Sequence, residues 1–247
     1  MAMLLKQTAI ETRLFLRRRS ELLWTLAFPI MFMVLFGLIY GNTQWNGMDM
    51  RAVDFLLPGI IVMGAMVTGI MRTSVGFVGE REKGIYRRLG LTPLKRQTLI
   101  GSQLLQHYIV IVVQTILLIA IGVTFFKVNI TGNMFLFWLV VSIGALCFMS
   151  IGFALTGLIK TARSATPINQ MAYFTLMFLG GIFFPNSMLP HFLANVANAL
   201  PSTQMSDALR MVAYQGGGIA DIWQNMVIMA GWILACLAIS IKFFRWE

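Results

Sequence analysis

Residues 55–79 read FLLPGIIVMGAMVTGIMRTSVGFVG, and the stretch that follows, 80–96, reads EREKGIYRRLGLTPLKR. The first run carries one charge, Arg72, and the second carries eight. A membrane-spanning helix needs about 20 mainly apolar residues, because the hydrocarbon core is about 30 Å thick and each helical residue rises about 1.5 Å. The first run is therefore expected to cross a bilayer as a helix, closing its backbone hydrogen bonds internally. The abrupt arrival of charge marks the edge of the membrane.

The same alternation recurs along the chain. Apolar segments at 22–41, 55–79, 99–126, 134–159, 167–184 and 222–243 qualify as spans or nearly so, the fifth being the shortest. With 58% hydrophobic and 11% charged residues, against about 25% charged in a soluble globular domain, the chain has too little polar surface to coat itself in water. The expected fold is all-α and polytopic. It is a single transmembrane domain over 1–247 with six transmembrane helices, an amino-terminal interfacial helix over 1–21, a loop at 80–97 and external helices within 185–221.

A net charge of +10 would suggest nucleic acid in a soluble protein, but here its placement speaks instead for orientation. Lys and Arg number five in the amino-terminal segment, six in the second loop, two in the fourth loop and two in the tail. The opposite loops hold only Arg51, Lys127 and Arg210. Both termini are thus expected on the cytoplasmic side, and no nucleic-acid partner is implied. The first apolar run is span-length with no cleavage site after LFGLIYGNTQW, so it is expected to stay attached. Cys147 and Cys236 each fall mid-span and define no disulfide framework.

Before the first span, Met3, Leu4, Leu5, Ile10 and Leu14 to Leu16 alternate with Lys6, Arg13 and Arg17 to Arg19 in a helical rhythm. Such a helix lies on a membrane surface, as an anchor to anionic lipid or as a surface for a partner protein. Beyond the fifth span, Leu189, Phe192, Leu193, Val196, Ala197 and Leu200 form one apolar stripe that Pro201 breaks. Met205, Leu209 and Val212 form a second, stopped by Gly216 to Gly218. Two short helices in this place either dip into the outer leaflet and return, or cap the surface.

Enzymatic signatures are absent. Gly79 and Gly84 have the spacing of a phosphate loop, but Ile85 and Tyr86 follow where Lys and Ser or Thr are required. The two histidines, His107 and His191, cannot build a zinc cluster, so no metal site is expected. What remains is polar residues inside spans. Gln103, His107 and Gln114 lie within about 40° of one another on a helix, with Gln106 beside them. Asn169, Gln170 and Tyr173 form a second cluster. Each group either lines a pathway or holds helices together. Arg72 either snorkels to the boundary or pairs inside with a carbonyl or with Glu80. In the charged loop, Ile85, Tyr86 and Leu89 give a helix with one apolar edge, after which Thr92 caps and Pro93 opens the next helix. That edge is read as a docking surface or, more simply, as part of an orientation signal.

The run EREKGIYRRLGLTPLKRQTLIGSQLL resembles the signature loop of permease subunits of type-2 ATP-binding-cassette exporters. Residues 180–210, GGIFFPNSMLPHFLANVANALPSTQMSDALR, are similar to the family's carboxyl-terminal signature, with Pro185, Pro190, Pro201, Asp207 and Arg210 in order. The resemblance covers essentially the whole chain. It implies a pair of permease chains in a bacterial inner membrane, driven by separate cassette ATPase subunits that carry the ATP and magnesium. No nucleotide-binding domain and no cofactor are then expected in this chain. Glu80, Glu82, Ile85, Tyr86, Arg87, Arg88 and Leu89 would contact the ATPase, and the three prolines with Asp207 and Arg210 would form an external gate. The cargo implied is a small amphipathic drug, antibiotic or lipid, the alternatives being a polysaccharide or lipo-oligosaccharide, or else an ion-coupled secondary transporter. Phe174, Phe178, Phe183 and Phe184 cluster in the fifth span without deciding between them.

Overall fold

The computed structural model describes residues 2–40, 43–44, 50–89, 96–183 and 190–243, with the side chains of Ala2, Arg87, Leu89, Arg96 and Phe243 left aside. It is all-α: the one extended pairing among these residues is a bridge between Gln44 and Arg51. Helix α1 (Ala2–Arg17) turns at Arg18 into α2 (Arg19–Tyr40). The turn keeps its backbone paired, with Arg18 N donating to the Phe15 carbonyl at 3.1 Å and Leu22 N to the Arg18 carbonyl at 3.0 Å. α3 (Ala52–Met66) passes through a π-helical segment, Val67–Arg72, into α4 (Thr73–Glu82). The short α5 (Ile85–Leu89) follows, then α6 (Arg96–Phe126), α7 (Met134–Leu158), α8 (Ala162–Leu179), α9 (His191–Ala199), α10 (Pro201–Tyr214) and α11 (Ile219–Phe243).

The continuous rod Ala52–Glu82 is 89% buried over its most apolar window, whereas Arg19–Tyr40 and Ile219–Lys242 are each 22% buried. A helix that is apolar on all sides belongs in the middle. The rod is therefore the axis of the bundle, with α7 against its π-helical segment, and α2 and α11 stand outside and present Leu38, Trp24, Leu234 and Ile241 outward. Backbones approach closely where α7 crosses the rod: a Cβ on Gly152 would lie 2.3 Å from the Gly69 carbonyl oxygen. Only a residue without a side chain fits there.

Five helices are long and apolar enough to cross a membrane among the described residues, and α8 is not one of them. The expected fifth span, 167–184, differs in both position and extent. α8 starts earlier, where the Thr161 hydroxyl accepts from Ser164 N at 3.3 Å. It ends earlier, at Leu179, before Gly181 in the left-handed region at φ 62°. Its last carbonyls are taken by α10, through Ser202 Oγ to the Leu176 carbonyl at 2.9 Å and Ser206 Oγ to the Gly180 carbonyl at 3.3 Å. α8 nonetheless runs antiparallel to the central rod along most of its length. Ala162 N meets Glu82, Asn169 meets Ser74, and the Ile182 carbonyl lies over Gly59.

The two expected helices after the fifth span are present. Pro201 occupies the first turn of α10, where its missing N–H costs nothing. Gly216, at φ 65°, ends the turn that closes α10. The pair divides in burial, since α9 exposes Phe192 and Val196 while α10 is enclosed among α3, α7 and α11. Thr92, Pro93 and Pro185 lie outside the described residues.

Candidate functional site

At the basic end of the bundle, three consecutive charges at the foot of the rod each close a different junction. Glu80 Oε2 accepts from Tyr86 Oη at 2.8 Å and from Gln103 Nε2 at 2.7 Å, joining α4 to α5 and α6. Arg81 donates to the Thr156 carbonyl at 3.2 Å and to the Ile159 carbonyl, placing positive charge at the carboxyl end of α7. Glu82 accepts from Ala162 N at 2.9 Å at the amino end of α8, the favourable place for a carboxylate. Much of the charge in this loop thus ties helix ends together.

Tyr86, expected on an apolar edge that serves as a docking surface or as part of an orientation signal, turns inward instead: its ring stacks on Phe77 with centroids 6.1 Å apart and packs beside Leu99, leaving 9% exposed. The hydroxyl is drawn inward by Glu80, and burial, chiefly, raises its pKa. Ile85 is half-buried and Arg88 is exposed, with Arg88 Nη2 donating to the Lys83 carbonyl. The side chains of Arg87 and Leu89 lie outside the described residues.

Beside this junction, α1, α2, α4 and α6 enclose a cavity of about 60 Å³. Arg72, expected to snorkel or to pair with Glu80, instead bonds Glu21 at the start of α2, Nε to Oε1 at 3.0 Å. Its guanidinium stands 4.1 Å over the Phe15 ring of α1, a cation–π contact. Glu11 also lines the cavity; burial, then the charge of Glu80, raises its pKa. The α6 polar face points into the molecule: Gln103 reaches Glu80, His107 Nδ1 lies 3.0 Å from Thr73 Oγ1, and Gln114 sits over Gly64. Of the second cluster, Asn169 donates to Ser74 Oγ at 2.9 Å and Tyr173 is buried, while Gln170 faces outward. The sequence thus groups residues that the structure separates.

At the opposite end, Arg210 fills the space between α3, α8 and α10. Its Nη2 donates to the Gly181 carbonyl at 2.8 Å, its Nε to the Phe55 carbonyl at 3.2 Å, and its Nη1 to Asp207 at 3.0 Å. The guanidinium lies 3.6 Å over the Phe55 ring. Pro190 is exposed at the entrance to α9, and Pro201 is buried. Sequence reasoning missed Arg81, Glu21, Thr73 and Ser74 as partners. The signal for Arg81 and Glu82 was their place just beyond the end of an apolar run, where helix termini gather. No group of His, Cys, Asp and Glu among the described residues could hold a metal ion.

These features sit on a chain whose residues 4–214 match the sequence pattern of the ABC-2 type transporter family. The chain belongs to that family. It is 28% identical over 254 aligned positions to the putative transport permease YvfS of Bacillus subtilis, covering 99% of this chain and 98% of that one. It is 26% identical over 205 positions to ABC transporter G family member 20 of Dictyostelium discoideum, covering 82% of this chain and 27% of that protein. It is 22% identical over 183 positions to the probable multidrug ABC transporter permease YbhR of Escherichia coli, covering 74% of this chain and 50% of that one. The chain therefore spans nearly all of the first relative, about a quarter of the second and half of the third. An ABC-2 type transport permease with several apolar helices is a multi-pass membrane protein.

Proposed function

We propose that this chain is the membrane subunit of an exporter, acting with a second permease chain and with separate cassette ATPase subunits that bind ATP and magnesium, and that it moves a small amphipathic compound outward. The basic end then faces the cytoplasm with both termini, and α8 is the sixth crossing. Its outward face carries the reading. Gln170, Met171, Phe174 and Phe178 face out of the chain, whereas the amides of α6 and of Asn169 are used or enclosed inside it. An amide left in hydrocarbon costs several kcal/mol, on the order of an unmade hydrogen bond in an apolar medium. Gln170 therefore faces another protein surface or water, and a mixed amide and aromatic wall suits an amphipathic cargo. The multidrug description of one relative agrees in kind.

In this reading the ATPase rests on the loop at 80–97, meeting Lys83, Ile85, Arg87, Arg88 and Leu89. Glu80 with Tyr86, Arg81 and Glu82 carry the contact inward to α6, α7 and α8. The test is export of an amphipathic cationic dye in inverted vesicles containing the chain and its ATPase. Accumulation should need ATP, survive collapse of the proton gradient and persist in a His107→Gln variant. Accumulation driven by a gradient alone, without nucleotide, would replace this reading with an ion-coupled carrier.

A further inference from the structure

The cavity between α1, α2, α4 and α6 holds polar groups that its own surroundings leave unused. Gln106 lines it and is 3% exposed, yet its Nε2 has no hydrogen-bond partner. Arg72 lines it too, and although its Nε is bound to Glu21, its Nη1 is unpartnered. Both are donors, so together they call for an acceptor, best an anionic oxygen. The remaining lining points to the opposite charge. Glu11, Glu21 and Glu80 stand against Arg18 and Arg72, which leaves one negative charge in excess. A plain anion would meet three carboxylates, and a plain cation would leave the Gln106 and Arg72 donors empty. A ligand that carries both a phosphate and a protonated amine fits both halves.

The surroundings say where such a ligand comes from. Leu14 of α1 lines the cavity while 44% exposed, and α1 also exposes Met3, Leu5, Ile10 and Leu16 among its basic residues. The opposite side of α1 is fixed to α6, with Thr8 Oγ1 reaching the Ser102 carbonyl and Leu4 lying against Gly101. A helix anchored on one side and apolar on the other lies in a headgroup layer. The cavity therefore opens at the depth where lipid phosphates lie. We propose that it is a binding site for the headgroup of a zwitterionic aminophospholipid of the phosphatidylethanolamine class, its phosphate on Arg72 and Gln106 and its ammonium among Glu11, Glu21 and Glu80. A choline headgroup carries no N–H for the carboxylates, and a glycerol headgroup brings no positive charge.

The test uses the full chain purified in detergent and exposed to mixed micelles holding equal amounts of phosphatidylethanolamine, phosphatidylcholine and phosphatidylglycerol. Retained lipid is counted by native mass spectrometry. Phosphatidylethanolamine should be retained about tenfold over either competitor, the ratio expected for one charge-assisted hydrogen bond. Glu11→Gln should bring it down to the phosphatidylcholine level, and Gln106→Leu, which removes a contact to the phosphate that all three lipids share, should lower retention of all three, while Lys6→Gln, on the exposed surface, leaves both the preference and the total intact. Glu11 is on the half-exposed side of α1, so its variant keeps the test decisive if Gln106→Leu fails to fold. Phosphoethanolamine without acyl chains should not displace the lipid at equal concentration. Equal retention of all three lipids, unchanged retention in the folded variants, or full displacement by the free headgroup would overturn the proposal. Retention is measured without nucleotide or transport, so its failure leaves the export reading standing.

Discussion

Arg210 shows how much one side chain can hold in a bundle of apolar helices. It joins carbonyls of Phe55 and Gly181 and the Asp207 carboxylate, and stacks on the Phe55 ring. A fork of five donors can do this, whereas a lysine ammonium reaches one oxygen cluster at a time. Arg210→Met should therefore lower stability by about 3 kcal/mol, since it leaves a buried carbonyl and a carboxylate without partners. Arg210→Lys should restore little of it. The check is the thermal unfolding midpoint in detergent; a wild-type midpoint for the Met variant would mean that Arg210 clamps nothing. The sequence named Arg210, but could not place its partners, because they are backbone carbonyls from segments 155 and 29 residues away. Arg72 was singled out for the same reason, an isolated charge in an apolar run. Its partner Glu21 was hidden because pairing across helices depends on how α1 turns into α2.

At the scale of elements, the π-helical segment Val67–Arg72 gives the central rod its unusual middle. A π turn closes each ring with one residue more than an α turn, so the segment absorbs a single extra residue while the flanking α stretches keep their faces. The faces matter here, because Ser74, Glu80, Arg81 and Glu82 all meet fixed partners beyond it. Deleting Val67 should convert the segment to ordinary α-helix and leave those contacts in reach. Deleting Val62, inside the α-helical part, should turn everything below it by about 100° and strand the charges. Expression and detergent stability of the two deletions distinguish the cases, and equal loss in both would show that the π segment absorbs nothing. The rod itself was legible from hydropathy alone, as were α2, α6, α7 and α11. The π turn was not, because its sequence is as apolar as its neighbours. The early end of α8 was also hidden, because α10 from the next part of the chain supplies the groups that close it.

Across the whole molecule, burial sorts the helices into those that the chain satisfies by itself and those that need something outside it. The central rod is enclosed, while α2 and α11 show nearly pure hydrocarbon outward, a surface that lipid completes. α8 falls in neither group. It buries Ala165, Asn169, Tyr173, Leu176 and Met177 on one face and turns Arg163, Gln170, Thr175 and Phe178 outward on the other. Its low overall apolarity made the fifth span the weakest in the sequence, and the outward amide gives the reason. If a second permease chain covers this face, a cysteine at Gln170, in a chain with Cys147 and Cys236 replaced by Ala, should form an interchain disulfide in oxidised membranes. Identical partners give a band of twice the chain mass, and a different partner gives none until the matching cysteine is placed on it. A cysteine at Ile116, on the outward apolar face of α6, should stay monomeric in the same membranes. Cross-linking through Ile116 and none through Gln170 with either partner would put α8 against lipid, and with it would go the reading of its outward face as a wall that meets the cargo.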